Sequence, residues 1–250
     1  MSKPRFVISC PFDTYSGYGA RSRDIVKAII ELDKYNVELL SQRWGSTSWG
    51  FCKDHPEWTF LINHLAKPDW QKSQPDIWMQ ITIPNEFQPV GKYSIGLTAG
   101  IEATAAKPEW VEGMNRMHMN WVSSEFTKTN FKNMVFEKKD PKTQQIKLQK
   151  PIHTVFEGVN LDTYKTISPK EIKTIDLNDI PEQFCYLFIG HWMEGEMGHD
   201  RKNVGLLVKL FYETFKNKIG KKPAGPDLID EVSRLPVEEL TDEALTRLRD

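Results

Sequence analysis

The feature that most constrains this chain is the alternation of short apolar runs with helix-like patterns along its first two-thirds. Arg5–Cys10 (RFVISC) reads as a strand, and Ala20–Leu32 as a helix with Ile25, Ala28, Ile29 and Leu32 at core spacing. Val37–Leu40, Asp76–Ile81, Tyr93–Thr98, Met119–Ser123 and His153–Phe156 supply five further strands. A short helix is expected from Lys107, where Pro108 is tolerated in the first turn, and another over Ser124–Asn133 with Ser123 or Ser124 as N-cap. Arg43–Trp58 reads as a long Trp/Gly/Ser loop, and residues 137–150, rich in Lys and Gln, as an exposed one. Strands that alternate with helices need crossover connections, so the expected class is α/β with a parallel sheet.

The pattern then pauses and restarts. Thr166–Glu182 is polar and reads as a linker; Phe184–Ile189 follows as a strand, then a loop through Asp200 and a helix over Lys202–Lys216. The last aromatic of the chain is Phe215, and Lys221–Pro226 opens an aromatic-free acidic tail. Two short helices are expected in that tail, with Val237, Leu240, Ala244 and Leu248 along one face, packing on the body or binding a protein partner. The expected organisation is one α/β domain over 1–165, a linker over 166–182, the start of a second α/β domain over 183–220, and a helical tail over 221–250.

Composition removes several function classes. Lys and Arg total 33 against 34 Asp and Glu, a net charge of −1 that gives no basic footprint for nucleic acid. No apolar run approaches the roughly 20 residues of a membrane span, and MSKPRFVISC is too short for a signal peptide. Cys10, Cys52 and Cys185 are far apart with no CxxC, which argues against a disulfide framework or a cysteine zinc site and fits a reducing cytoplasm.

The candidate chemistry lies where strands end. Gly17 and Gly19 sit between a strand and a helix, where backbone amides can hold an anionic group, and Arg21 and Arg23 add charge. A glycine turn needed only for chain geometry is the plain alternative. Gly190 at the restarted strand's end is followed by Arg201 and Lys202 opening a helix, cations placed where the helix dipole disfavours them unless they serve an anion such as a diphosphate. Thr98, Gly100 and Glu102 follow the fourth strand, where open α/β sheets bind ligands; Glu102 can accept from sugar hydroxyls or act as a base. Glu157 holds the matching position after the sixth strand, and Pro84–Glu86 after the third. His191, Glu194, Glu196, His199 and Asp200 lack the spacing of a metal site, so no metal is expected. There is no GxGxxG, Walker A, GxSxG or kinase signature.

Taken in order, SGYGARSRDIVKAI, TAGIEAT, WVSSEFTKTNF, HTVFEGVNLDTY, YLFIGHW and RKNVGLLVKLF resemble the GT-B-fold glycosyltransferases of the group 1, or family four, type, as found in phages and bacteria. The resemblance implies a Rossmann-like acceptor domain, a second Rossmann-like donor domain, and metal-independent sugar transfer between them. The donor would be a UDP- or GDP-linked sugar, used as substrate with no cofactor, and the acceptor a small molecule or glycan. Gly17 and Gly19 match the family's glycine loop and Lys202 its diphosphate-binding lysine, with Arg201 beside it; Thr98, Gly100 and Glu157 fall on the acceptor side. His191 stands where the family commonly has arginine. The donor-like pattern spans only 182–220, so the donor domain is expected to be abbreviated. The alternative expectation is a non-catalytic remnant, or one half of a split enzyme, that works as an interaction module.

Overall fold

A computed structural model describes residues 2–100, 103–139, 143–172, 178, 185–189 and 202–215. The chain divides into two units, Met1–Lys165 and Thr166–Asp250.

The first unit opens with strand β1 (Arg5–Cys10), helix α1 (Gly17–Glu31) and β2 (Asn36–Ser41). A short helix α2 (Phe51–Asp54) and 3-10 turns over Pro56–His64 lead to β3 (Ile77–Ile81) and β4 (Tyr93–Thr98). Helix α3 (Pro108–Arg116), β5 (Met119–Val122), α4 (Glu125–Asn133), a hairpin of β6 (Val135–Lys139) and β7 (Thr143–Lys147), and β8 (Ile152–Thr154) complete it. Six strands form one parallel sheet in the order β2-β1-β3-β4-β5-β8, a Rossmann-like α/β arrangement. Strand order reverses between β1 and β3, so the crevice that open sheets use for ligands lies beyond the C-terminal ends of those two strands.

Period-two alternation along the strands builds a core on each face of the sheet. Phe6, Ile8, Leu39, Met79, Ile81, Ile95 and Leu97 pack with Val26 and Ile29 of α1 and with Cys52 and Leu61. Val7, Trp78, Val122 and Ile152 face the other way, against Val111 and Met114 of α3 and Phe131 of α4.

Four expectations need correction. Arg43–Trp58 is not all loop, since α2 and the 3-10 turn that begins at Pro56 interrupt it. Helix α1 starts three residues early, because the Ser16 side chain accepts from Gly19 N and caps the turn at Gly17. Residues 137–150 are not a plain loop: β6 and β7 pair from Val135 opposite Lys147 to Lys139 opposite Thr143. Phe136, Ile146 and Leu148 pack against the second core, an anchor too sparse to stand out among lysines and glutamines. In the second unit, Cys185–Ile189 is not a strand. Leu187 is 83% and Ile189 86% exposed, and no strand among the described residues pairs with the segment. That unit otherwise contains α5 (Pro169–Ile172) and α6 (Val204–Phe215), with Tyr186, Phe211 and Phe215 in ring contact. No helix among the described residues is long and apolar enough to cross a membrane.

The N-terminal end of the sheet is knotted by charge. Arg5 donates to both Glu38 oxygens at 2.7 and 2.8 Å, to Ser73 and to the Trp70 carbonyl. Its backbone N–H reaches Asp76 at 3.0 Å, and Asp76 pairs with Lys92 at 2.6 Å. The Lys92 bond, then the Arg5 N–H, hold the Asp76 carboxyl below its ordinary value. A carboxyl depressed in the folded state contributes stability that is present above its unfolded value, near about 3.9, and lost as pH falls through the folded one. Asp76→Asn is therefore expected to flatten the acid limb of a stability-against-pH curve below roughly pH 4. Urea melts at stepped pH check this; an unchanged limb contradicts it.

Candidate functional site

The loop between β1 and α1 is held by its own backbone and by one buried arginine. Thr14 N and Oγ1 both donate to the Pro11 carbonyl, at 3.1 and 2.8 Å. Arg23, 5% exposed, donates from Nη1 to the Phe12 and Thr14 carbonyls at 2.7 and 2.9 Å, and its guanidinium lies 3.4 Å from the Phe51 ring centre. Arg23 thus serves the loop rather than a ligand.

The two glycines have separate functions. A Cβ at Gly19 would sit 2.4 Å from the Thr14 carbonyl and 2.7 Å from Thr14 Oγ1, so close approach of the loop requires glycine there. A Cβ at Gly17 would meet nothing within 4 Å. Ser16 satisfies Gly19 N, while the amides of Gly17 and Tyr18 take no partner among the described residues. These amides form the open, positive end of a 15-residue helix.

Tyr18 then ties this turn to the end of β4. Its hydroxyl lies 2.9 Å from Thr98 Oγ1 and accepts from Ala99 N at 3.0 Å, and Thr98 Oγ1 accepts from Gly100 N at 3.3 Å. Each hydroxyl has one proton, and only one of the two is used between them, so the pair retains one O–H to donate. Burial pushes the Tyr18 hydroxyl up from its ordinary value, so it stays protonated at neutral pH. Trp44 stacks on Tyr18 with ring centres 3.9 Å apart and fixes it from the other side.

Arg21, one turn along α1, reaches the end of β8. Its Nη2 donates to the carbonyls of Val155 at 2.5 Å and Phe156 at 3.2 Å, and its Nε lies 4.0 Å from Glu157. Burial lowers the affinity of this guanidinium for its proton and Glu157 opposes that, leaving it charged in a half-dry setting.

Gly17, Gly19, Thr98, Gly100 and Glu157 therefore all lie at the C-terminal edge of one sheet, joined through Tyr18 and Arg21. Gly100 has φ +93°, and a Cβ there would lie 2.1 Å from Thr127 Cγ2, so this glycine shapes the loop rather than opening room for substrate. Glu86, after β3, accepts from Thr82 at 2.5 Å and belongs to a closed turn. Lys202 is exposed, two residues ahead of α6, in the second unit. Glu102 and Arg201 lie outside the described residues, as do Gly190, His191 and residues 216–250.

Sequence reasoning singled out neither Tyr18 nor Trp44, although the aromatic between two loop glycines was a visible signal. Thiol chemistry is disfavoured at the two buried cysteines: burial pushes both Cys10 and Cys52 up to about 12. The edge as a whole gathers donors, namely two open amides and a spare hydroxyl proton, with Arg21, whose Nη2 is taken by two carbonyls, and the Glu157 carboxylate beside them. Such a set suits an oxygen-rich, anionic or hydroxylated ligand. Comparison with protein-family models, curated proteins and solved structures finds no match for this chain.

Proposed function

We propose that this chain is a glycosyltransferase of GT-B type, moving a sugar from a UDP- or GDP-linked donor to a hydroxyl acceptor without a metal. The observation that carries the reading is the donor-rich edge of the first unit, where the open α1 amides, the Tyr18–Thr98 hydroxyls and Arg21 converge on the ends of β1, β4 and β8. In the transfer, an acceptor hydroxyl oxygen bonds to the anomeric carbon as the bond from that carbon to the diphosphate oxygen breaks, and the hydroxyl's proton passes to bulk water. The leaving diphosphate keeps the electron pair, and Lys202 and Arg201 are the residues proposed to stabilise it. Glu102 is the proposed acceptor contact, and Thr98, Gly100 and Glu157 are the further residues proposed for the acceptor side.

Removing one lysine–phosphate contact costs about 1.5–3 kcal/mol. Lys202→Ala is therefore expected to weaken UDP or GDP binding about 10- to 100-fold by equilibrium titration. No detectable binding of either nucleotide at millimolar concentration by the unaltered chain would sink the proposal.

A second reading, an interaction module with no turnover of its own, is favoured by one observation. Leu187 and Ile189 are almost fully exposed beside a Tyr186 that packs on α6, an apolar surface of the kind that a partner covers. Nucleotide binding separates the two readings.

A further inference from the structure

The loop after β2 is built in a way that the donor-rich edge does not require. Gly45 at φ +52° and Gly50 at φ +95° give it two left-handed turns. Asp13 clamps its far end, its carbonyl accepting from Gly50 N and Phe51 N at 2.9 and 3.1 Å and its carboxylate from Cys52 N at 2.8 Å. Yet this rigid loop holds Trp49 at 43% exposure, with Arg43 6.0 Å from the ring centre. A large aromatic kept in water by a fixed backbone favours recognition over packing.

Its direction follows from the ladder. Trp49 bridges Thr14 in antiparallel fashion, and directly opposed residues point to one face. Thr14 faces the α1 turn, since its hydroxyl contacts Ser16 Oγ at 2.8 Å and its side chain crowds the Cβ position of Gly19. Trp49 therefore stands on the same side as the open Gly17 and Tyr18 amides. Trp44, stacked on Tyr18, borders the same turn. Tyr15, the next residue along, takes the opposite face, with its hydroxyl on Asp54 at 2.6 Å and its ring against Phe51.

We propose that Trp49, with Arg43 beside it, is the subsite that holds the acceptor, and that the acceptor is a neutral saccharide. This rests on the glycosyltransferase reading and gives it a substrate class. A sugar ring has an apolar C–H face and a rim of hydroxyls. One open indole face takes the first, while Arg43 and the α1 amides take the second. A nucleobase would instead favour a slot between two parallel rings. The two stacked pairs in this region, Tyr18–Trp44 at 3.9 Å and Phe51–His55 at 4.0 Å, are closed on themselves.

The test is saturation-transfer NMR and calorimetry on the full chain with maltose, lactose and mannobiose, and with uridine as competitor. At least one disaccharide is expected to bind. Trp49→Ala, whose melting should be unchanged at so exposed a site, is expected to cut affinity about tenfold or more. Trp49→Phe should recover part of it, and Tyr15→Phe should change nothing. Absence of disaccharide binding at millimolar concentration, an unaffected Trp49→Ala, or displacement of the sugar by uridine each overturns the proposal. Nucleotide binding without saccharide binding would overturn this subsite and leave the transferase reading standing. Saccharide binding lost in Trp49→Ala, without nucleotide binding, would do the reverse.

Discussion

Arg23→Ala is expected to lower the stability of the first unit by about 3 kcal/mol, from two stranded buried carbonyls at about 1–3 kcal/mol each and a lost contact with Phe51. For a unit of this size that corresponds to a fall in Tm of roughly 6–12 °C, readable by calorimetry or circular dichroism. Arg23→Lys keeps a donor for the carbonyls but has no planar face for Phe51, so it should fall between the two. A loss below about 0.5 kcal/mol in Arg23→Ala, the range of ordinary surface changes, would show that the β1–α1 loop does not depend on this side chain. The loop is also the floor of the candidate site, so ligand binding at that edge of the first unit should weaken along with stability.

Gly100→Ala is the second large effect. The backbone at φ +93° costs an alanine about 1–2 kcal/mol, and overlap with the Thr127 methyl adds about 1–3 kcal/mol. Together these give a loss of about 3 kcal/mol, and they are separable. In Gly100→Ala/Thr127→Ala the methyl is gone while the backbone cost stays, so the pair should be non-additive and recover only the steric share. Urea denaturation of the two single variants and the double checks this; strict additivity would place the strain elsewhere. Thr127→Ala keeps the α4 cap, in which Ser124 Oγ accepts from Thr127 N, and loses only the bond that Ser124 Oγ donates to Thr127 Oγ1 at 3.1 Å, a cost that the Thr127→Ala single variant measures.

Much of the sheet was legible because its strands carry the signal in their side chains. Arg5–Cys10 and Tyr93–Thr98 are buried beyond their first residue, have only apolar or small side chains past it, and keep the expected bounds. The β6–β7 hairpin was not legible: it shows one face to water and rests on a few apolar side chains, so composition outweighed period. Cys185–Ile189 failed for the opposite reason. An apolar run reports what a segment would bury, whereas a strand also needs a neighbour to take its hydrogen bonds.

Within the site, glycine positions could be read but not their purposes. That Gly19 and Gly100 are needed for close approach while Gly17 is open depends on Thr14 and Thr127, which no local pattern connects to them. Arg21 and Arg23 look interchangeable in sequence, two residues apart on one helix. One reaches β8 and the other turns back into its own loop.

The strand order also governs how the sheet can assemble. Ile77 pairs with Tyr93 across only 16 residues, and Ile95 with Met119 across 24, whereas β1 meets β3 only when Phe6 finds Ile77, 71 residues away. Loop-closure entropy rises with length, so β3-β4-β5 is the cheapest nucleus, and the first strand made is among the last to gain both neighbours. A nascent chain must therefore carry the Val-Ile-Ser-Cys run of β1 unpaired on at least one edge until β3 emerges. The crevice beside β1, where the ligand is proposed to bind, is then a late event in folding, completed when the reversal in strand order closes.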